Sequence, residues 1–189
     1  LYFMPIDNKL IKKCLKNDRR SQNELYKELF SYIMNICMRY KNNYDDAGAA
    51  LNTMYLKVLK GLQEYNTDEP MLPWVKTIAV RHLIDEYRSY KRHEAVGLDE
   101  APHQPVNGYN VSHDKLNVDD ILTMLGRLPD TSKTVFNLYV IDGFKHREIA
   151  DMLGMSEGNS KWHLNQARTQ LRDMINQEQK RSEQVKLTQ

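Results

Sequence analysis

Apolar side chains recur at every third or fourth position along most of this chain, which is the spacing of one face of an α-helix. The pattern covers residues 7–17 and three longer segments that end near Lys41, Tyr65 and Arg92, and it resumes near Leu116. Only 8 of the 189 residues are glycine. The pattern predicts an all-α fold.

The periodicity stops between residues 93 and 113, where Gly97, Pro102, Pro105 and Gly108 fall in a stretch with few large apolar side chains. Glycine and proline at this density are typical of a linker. We therefore predict two small helical domains, residues 8–92 and 114–177, joined by a flexible linker at 93–113. Fully extended, this linker would reach roughly 70 Å.

Polar residues and prolines indicate where several helices begin. The predicted starts are a capping box at Ser21–Glu24, a cap at Asp45 or Asp46, Pro73 in the first turn of a helix from Trp74, and a cap at Asp130. Residues 177–189 carry no apolar stripe and are predicted to fray. Leu1–Phe3, which precede Met4, are typical of an expression-tag remnant and are left out of the fold prediction.

Residues 144–171 carry the most informative pattern. A short helix with Ile149 and Leu153 on one face is followed by Gly154, and glycine often ends a helix in the left-handed conformation. Ser156 suits the N-cap of a second helix, because its hydroxyl can accept a backbone N–H. Two helices around such a turn predict a helix-turn-helix, whose second helix enters the major groove of DNA. A plain helical hairpin with a solvated polar face is the alternative.

The second helix turns Leu164, Ala167, Leu171 and Ile175 to one face, as an amphipathic helix does. The other side carries hydrogen-bonding side chains that suit base edges and phosphates. The candidate DNA contacts of this helix are Ser156, Asn159, Lys161, Trp162, His163, Gln166 and Arg168.

Charge is unevenly distributed, although the net charge is only +2. Residues 74–92 carry five basic and two acidic side chains, whereas residues 94–120 carry six acidic and one basic. Such asymmetry is more informative than the sum. The basic face of the helix from Trp74 is a second candidate DNA surface, and an ordinary solvated face is the alternative.

The sequence gives little support for redox cysteines, a membrane span, a metal site or catalysis. Cys14 and Cys37 are the only cysteines and form no C-x-x-C pair, so we interpret them as reduced core residues of a cytoplasmic protein. No apolar run approaches the ~20 residues that span a bilayer. His93, His103 and His113 have no ligand partners at suitable spacing, so we expect neither metal nor cofactor. The phosphate-loop, zinc-protease and esterase motifs do not occur, and we do not expect an enzyme.

Two ordered series of residues resemble the bacterial RNA polymerase sigma factors of the extracytoplasmic-function (ECF) type, within the sigma-70 family. The second domain resembles region 4 of that family through Leu128-Pro129, Gly143, Glu148-Ile149-Ala150, Leu153-Gly154, Ser156-Glu157-Gly158, Lys161 and Ala167-Arg168. The first domain resembles region 2 through Asp45-Asp46-Ala47, Trp74, Ile78-Ala79, Ile84-Asp85 and Arg88.

The resemblance implies a factor that binds core RNA polymerase and directs it to promoters. Region 4 would recognise the −35 element, and region 2 would recognise the −10 element and help to melt it. Extracting a base from the duplex costs on the order of a few kcal/mol, and the loop Tyr65–Pro73 lies where the family holds that base. The −10 residues implied by the resemblance are Tyr65, Trp74, Lys76, Thr77, Arg81, His82 and Arg88.

The resemblance also implies partners: promoter DNA, the β′ clamp helices and β flap of core polymerase, and an anti-sigma factor acting on a monomer. The third helix of family members usually carries an acidic residue and a Gln-Glu pair. This chain has Ala49, Asn52 and Thr53 there, and we expect these residues and Tyr55 to dock on the polymerase with a different match. Arg81 and Asn159 also replace common family residues, so no promoter preference is carried over.

The sequence also allows two other functions. A stand-alone helix-turn-helix regulator, with residues 8–92 sensing a ligand, would bind duplex DNA without polymerase. A protein-interaction module with incidental basic faces would show no salt-dependent DNA binding.

Overall fold

The computed structural model describes residues 6–41, 43–95 and 118–187, and within these ranges every regular element is helical. The predicted all-α fold is confirmed. The chain divides into two compact units, Leu1–Glu100 and Ala101–Gln189. The division falls within the predicted linker, most of which lies outside the described residues, as do Leu1–Phe3, His103 and His113. The predicted domain limits therefore stay predictions.

The first unit contains four helices: α1 (Asn8–Leu15), α2 (Arg19–Tyr40), α3 (Tyr44–Gly61) and α4 (Met71–Ala95). Helix α2 packs against the other three. Its predicted apolar stripe forms the centre of the core, where Leu25, Leu29 and Cys37 are fully buried. Both cysteines are free thiols in this core, as predicted, and burial raises the pKa of Cys37 to about 12.

Two helices of this unit begin before their predicted caps. The carboxylate of Asp18, rather than the pattern at Ser21–Glu24, caps α2 by accepting the Ser21 backbone N–H at 3.0 Å. Asn43 caps α3 by accepting the Asp46 N–H at 2.7 Å, which leaves Asp46 inside the first turn. In both cases an equally good capping residue lies just upstream of the predicted one.

Helix α4 begins at Met71, three residues before the predicted start at Trp74, and continues to Ala95. Pro73 therefore occupies the first turn but not the first position. A proline is tolerated throughout that turn because its N–H groups have no partner within the helix.

The second unit contains α5 (Val118–Gly126), α6 (Asp130–Phe136), a π-helical segment (Asn137–Ile141), α7 (His146–Leu153) and α8 (Glu157–Leu187). Helices α5, α6 and α7 each pack against α8. Leu125, Leu128 and Ala167 are buried together, with Phe136, Leu171 and Met174 packed against them.

Three predictions for this unit were wrong. Pro129 holds the N-cap of α6, so Asp130 is its first residue and makes no side-chain cap. Regular helical spacing predicts Tyr139 and Ile141 on the same apolar side as Val135 and Leu138, but the π-helical segment changes the register and leaves them 37% and 43% exposed. Helix α8 continues to Leu187 instead of fraying after residue 176. Its last turns are rich in Gln, Glu, Lys and Arg, which favour helix without an apolar stripe.

Within the described part of the chain, no helix combines the length and the apolar character needed to cross a membrane. Over the same residues, no three His, Cys, Asp or Glu side chains are grouped so that they could hold a metal ion.

Candidate nucleic-acid interface

The turn between α7 and α8 has the geometry that its residues predict. Gly154 ends α7 in the left-handed conformation, with φ of 67°, and the N–H of Met155 donates to the Ala150 carbonyl at 3.0 Å. The hydroxyl of Ser156 accepts the backbone N–H of Asn159 at 3.1 Å. These contacts confirm the predicted helix-turn-helix geometry over residues 146–159.

A partly buried polar contact joins the two helices. Ser160, fully buried in the first turns of α8, places its hydroxyl 2.9 Å from Nδ1 of His146 at the start of α7. Burial lowers the pKa of His146, and the nearby Lys161 lowers it further. The neutral imidazole therefore predominates near pH 7. This contact, with the buried Ile149 and Ala150, sets the position of α8 against α7.

The candidate DNA residues of α8 fall into two groups, exposed and half-buried. Lys161 is exposed, and its ammonium lies 2.7 Å from the Glu157 carboxylate. His163 is half-buried, with Nδ1 3.0 Å from the Ser132 hydroxyl, and burial lowers its pKa. Gln166 is also half-buried. The exposed candidates are Ser156, Asn159, Lys161, Trp162, which is 57% exposed, and Arg168.

Arg168 lies at the edge of this surface rather than at its centre. Its guanidinium carbon is 5.9 Å from the ring centre of Tyr139 in the π-helical segment. The ring of His146 stacks on the same tyrosine, with ring centres 4.3 Å apart. Tyr139 therefore contacts both helices of the helix-turn-helix and restrains the Arg168 side chain.

A second cationic surface lies along α4. Five side chains at intervals of three or four residues are exposed along one stripe: Thr77, Arg81, Asp85, Arg88 and Arg92. Three of them, Thr77, Arg81 and Arg88, were predicted to contact DNA. Lys76 and Trp74 are half-buried beside the stripe. We call the five exposed residues Thr77, Arg81, Asp85, Arg88 and Arg92 the α4 stripe.

The structure corrects the placement of His82, which was predicted to lie on this surface. The residue is only 8% exposed. Its Nδ1 lies 3.0 Å from the Lys57 ammonium, and its Nε2 lies 3.4 Å from the Glu86 carboxylate. Burial lowers its pKa despite the opposing effect of Glu86. His82 therefore joins α3 to α4 beneath the stripe.

The loop between α3 and α4 lines an open cavity of about 710 Å³. Tyr65 closes the loop, because its hydroxyl donates to the Glu69 carbonyl. The ring of Tyr65 also contacts Trp74, with ring centres 4.8 Å apart. The residues lining the cavity are Ile6, Asp7, Asn8, Tyr65, Thr67, Glu69, Pro70, Met71, Leu72 and Pro73.

The predicted polymerase residues of α3 are not all on its surface. Ala49, Asn52 and Thr53 are exposed. Tyr55, in contrast, is 8% exposed and donates its hydroxyl to the Gln22 carbonyl, and burial raises its pKa. Tyr55 is therefore a core residue and does not belong to the exposed face of α3. Leu56, which sequence reasoning missed, is 58% exposed on the face of Asn52 and Thr53.

Comparison with known families matches both units in order. The family description "Sigma-70 region 2" matches residues 25–93, and "Sigma-70, region 4" matches residues 119–171. The chain belongs to the sigma-70 family. The family consists of transcription initiation factors, and the chain is similar to members of its ECF branch.

Curated relatives match region 2 and region 4 together. The ECF RNA polymerase sigma factor SigM of Mycobacterium tuberculosis (strain ATCC 25618 / H37Rv) is 22% identical over 172 residues, or 89% of this chain and 84% of SigM. RNA polymerase sigma factor YlaC of Bacillus subtilis (strain 168) is 23% identical over 158 residues, or 82% of this chain and 91% of YlaC.

A solved structure has the same fold. The sigma factor RpoE of Bartonella quintana, crystallised with the anti-sigma factor NepR, aligns with a TM-score of 0.54 and 17% identity. The alignment covers 81% of this chain and 97% of that one.

Region 4 exposes two further residues on the outward side of α8 that sequence reasoning missed. Asn165 and Thr169 are exposed, whereas Ser160, Leu164 and Ala167 are buried. The helical period places both on the side opposite this buried stripe. Extending the same stripe from the sequence could have identified them.

Proposed function

We propose that this chain is an ECF sigma factor that binds core RNA polymerase and directs transcription initiation at specific promoters. The observation that carries the proposal is the order of region 2 and region 4 along one chain, each with an exposed cationic helix surface. Each such surface is suited to the charged backbone of DNA.

Region 4 would bind the −35 element through the N-terminal half of α8. The exposed residues Asn159, Lys161 and Trp162 lie in its first turns, the part of a recognition helix that contacts base edges. Glu157 offers Lys161 only an exposed ion pair, which contributes little energy. A phosphate can therefore replace Glu157 as the partner of Lys161. Arg168, restrained by Tyr139, would contact the flanking backbone.

Region 2 would bind the −10 element through the α4 stripe and the loop cavity. Arg81 and Arg88 suit the phosphates of the strand, while Asp85 between them disfavours close approach of a phosphate at that point. The loop cavity is large enough for a base, and Tyr65 supplies an aromatic ring on which a base could stack. His82 would act indirectly, by holding α4 against α3.

The polymerase would bind region 2 at Ala49, Asn52, Thr53 and Leu56 of α3. Leu56 provides an apolar contact on a face that lacks the charges common in the family. Removing this apolar surface from water would favour association. The β flap would bind region 4, where Val140 and Ile141 are 47% and 43% exposed.

An anti-sigma factor is a further proposed partner. The fold shared with RpoE, which was crystallised with its anti-sigma factor, supports this proposal. Co-purification of this chain from its native host, with identification of the bound proteins, tests it. Recovery with core polymerase alone would count against an anti-sigma partner.

A footprint of reconstituted holoenzyme tests the region 4 assignment. The double variant K161A/R168A removes two cations, and each lost phosphate contact should reduce the dependence of binding on salt by about one unit of log–log slope. We expect weakened protection of the −35 element. K180A, which removes an exposed lysine further along α8, is the matched control and should leave protection unchanged. Equal protection by both variants would contradict the assignment.

A further inference from the structure

Gly61 leaves space that the Trp74 side chain occupies. Gly61 is the last residue of α3, and Trp74 lies in the first turns of α4. A Cβ atom at residue 61 would lie 3.0 Å from Cζ2 and 3.4 Å from Cη2 of the Trp74 indole. Carbon atoms in favourable contact lie about 3.5–4.0 Å apart. Any larger residue at this position therefore requires the indole to move by a few tenths of an ångström.

Movement of the indole would also displace residues in the wall of the loop cavity. The ring of Trp74 contacts that of Tyr65, and the Tyr65 hydroxyl is bonded to the Glu69 carbonyl. Tyr65 and Glu69 both line the cavity. Trp74 itself lines an adjoining groove of about 400 Å³, together with Gly61, Ile78 and Arg81. A continuous series of contacts thus leads from residue 61 to the wall of the cavity.

We propose that Gly61 is a positioning residue for promoter opening. The absence of a side chain at this position sets the place of the Trp74–Tyr65 ring pair, and through it the width of the cavity that receives an unpaired −10 base. The inference rests on the proposed function and adds to it a residue that contacts no DNA.

The variant G61A tests the role, with G48A as a matched control in the same helix. A Cβ at Gly48 would meet nothing within 4 Å. Alanine favours helix over glycine at both positions, so G48A should not lower the melting temperature, and in G61A the same gain offsets part of the cost of moving the indole. On a promoter selected by wild-type holoenzyme, we expect G61A to slow open-complex formation about three- to tenfold, because small misplacement of binding groups is costly. Initial binding to the closed promoter should be unchanged, and G48A should behave as wild type in both steps.

A second variant tests whether the effect of G61A depends on contact with the Trp74 indole. The two indole atoms that approach residue 61 belong to the six-membered ring, beyond the reach of a phenylalanine side chain. In a W74F background, G61A should therefore slow opening no further. An undiminished effect of G61A in that background would overturn the inference, as would wild-type opening rates for G61A alone.

Loss of the positioning role and loss of the proposed function give different results. If wild-type protein directs promoter opening and G61A matches G48A, only the positioning role is lost. If wild-type protein gives no opening with core polymerase on any promoter, the proposed function is overturned together with this inference.

Discussion

The two units of the molecule differ in what fills their interiors. Among the described residues of the first unit, Ser21 and His82 are the only buried polar side chains apart from the aromatic Tyr55, whose hydroxyl bonds to the Gln22 carbonyl. The second unit is shorter, yet buries seven: Asp120, Thr123, Ser132, Lys133, Thr134, Asn137 and Ser160. Region 2 is therefore held together mainly by apolar packing, which is non-directional. Region 4 depends to a larger extent on hydrogen bonds with fixed geometry.

This difference fits the two proposed tasks. A recognition helix needs a defined orientation, because its side chains must meet particular base edges. The contacts of Ser160 with His146, and of His163 with Ser132, restrict rotation of α8 more than apolar contacts alone would. The comparison predicts that apolar truncation has its largest effect in region 2, whereas loss of a hydroxyl or a change of pH acts mainly on region 4.

The largest effect is expected from L29A in α2. Leu29 is fully buried in the core of the first unit, and truncation of such a leucine costs about 2–5 kcal/mol of unfolding free energy. Denaturant unfolding measures the loss. L56A, at an exposed position, should change stability by less than about 0.5 kcal/mol. Similar losses for the two variants would contradict the apolar account of region 2.

S160A should have the next largest effect and should act on region 4. It leaves Nδ1 of His146 without its hydroxyl partner, and the loss of such a partly buried hydrogen bond costs about 0.5–1.5 kcal/mol. Hydrogen exchange should quicken in α7 and the start of α8 but not in α2. S31A, at an exposed serine of α2, is the control. Unchanged exchange in α7 would show that the contact does not stabilise region 4.

Acidification should destabilise region 4 more than region 2. Burial lowers the pKa of both His146 and His163, so the folded unit binds fewer protons than the unfolded one. Stability is therefore complete above the unfolded value near 6.5 and falls as the pH drops below it. Region 2 has one such histidine, His82, held between Lys57 and Glu86.

Hydrogen exchange between pH 7.5 and 5.5, corrected for intrinsic rates, measures this effect helix by helix. The H146Q/H163Q variant should lose most of the additional opening of α7 and α8 at low pH. If that variant keeps the full pH dependence, other groups are responsible.

G48A should give the smallest effect, and of opposite sign. Alanine favours a helix over glycine by roughly 0.5–1 kcal/mol, and no atom obstructs the added methyl group. Thermal unfolding should show a rise in the melting temperature of region 2. A decrease would mean that α3 does not tolerate a side chain at that position.

The same difference explains what could be predicted from the sequence. Periodicity identified the helices of region 2 well, because burial there follows apolar residues such as Leu25, Leu29 and Val58. It failed at the π-helical segment, where an additional residue changes the register and exposes Tyr139 and Ile141. A regular period cannot signal such a change.

The candidate surfaces were predicted less completely than the fold. The turn residues Gly154 and Ser156 determine local geometry and were identified correctly. The burial of His82 and Tyr55 depends on partners distant in the chain, Lys57 and Gln22, which no local pattern reveals. The contact of Gly61 with Trp74 across the loop is of the same kind.

Transcription by core RNA polymerase on a promoter library, with and without this protein, tests whether the chain directs the polymerase to promoters. We expect discrete start sites that appear only with the protein and that share sequence at both the −10 and −35 positions. The same start sites in both reactions, with the protein alone retarding duplex DNA, would contradict this expectation and indicate a stand-alone regulator.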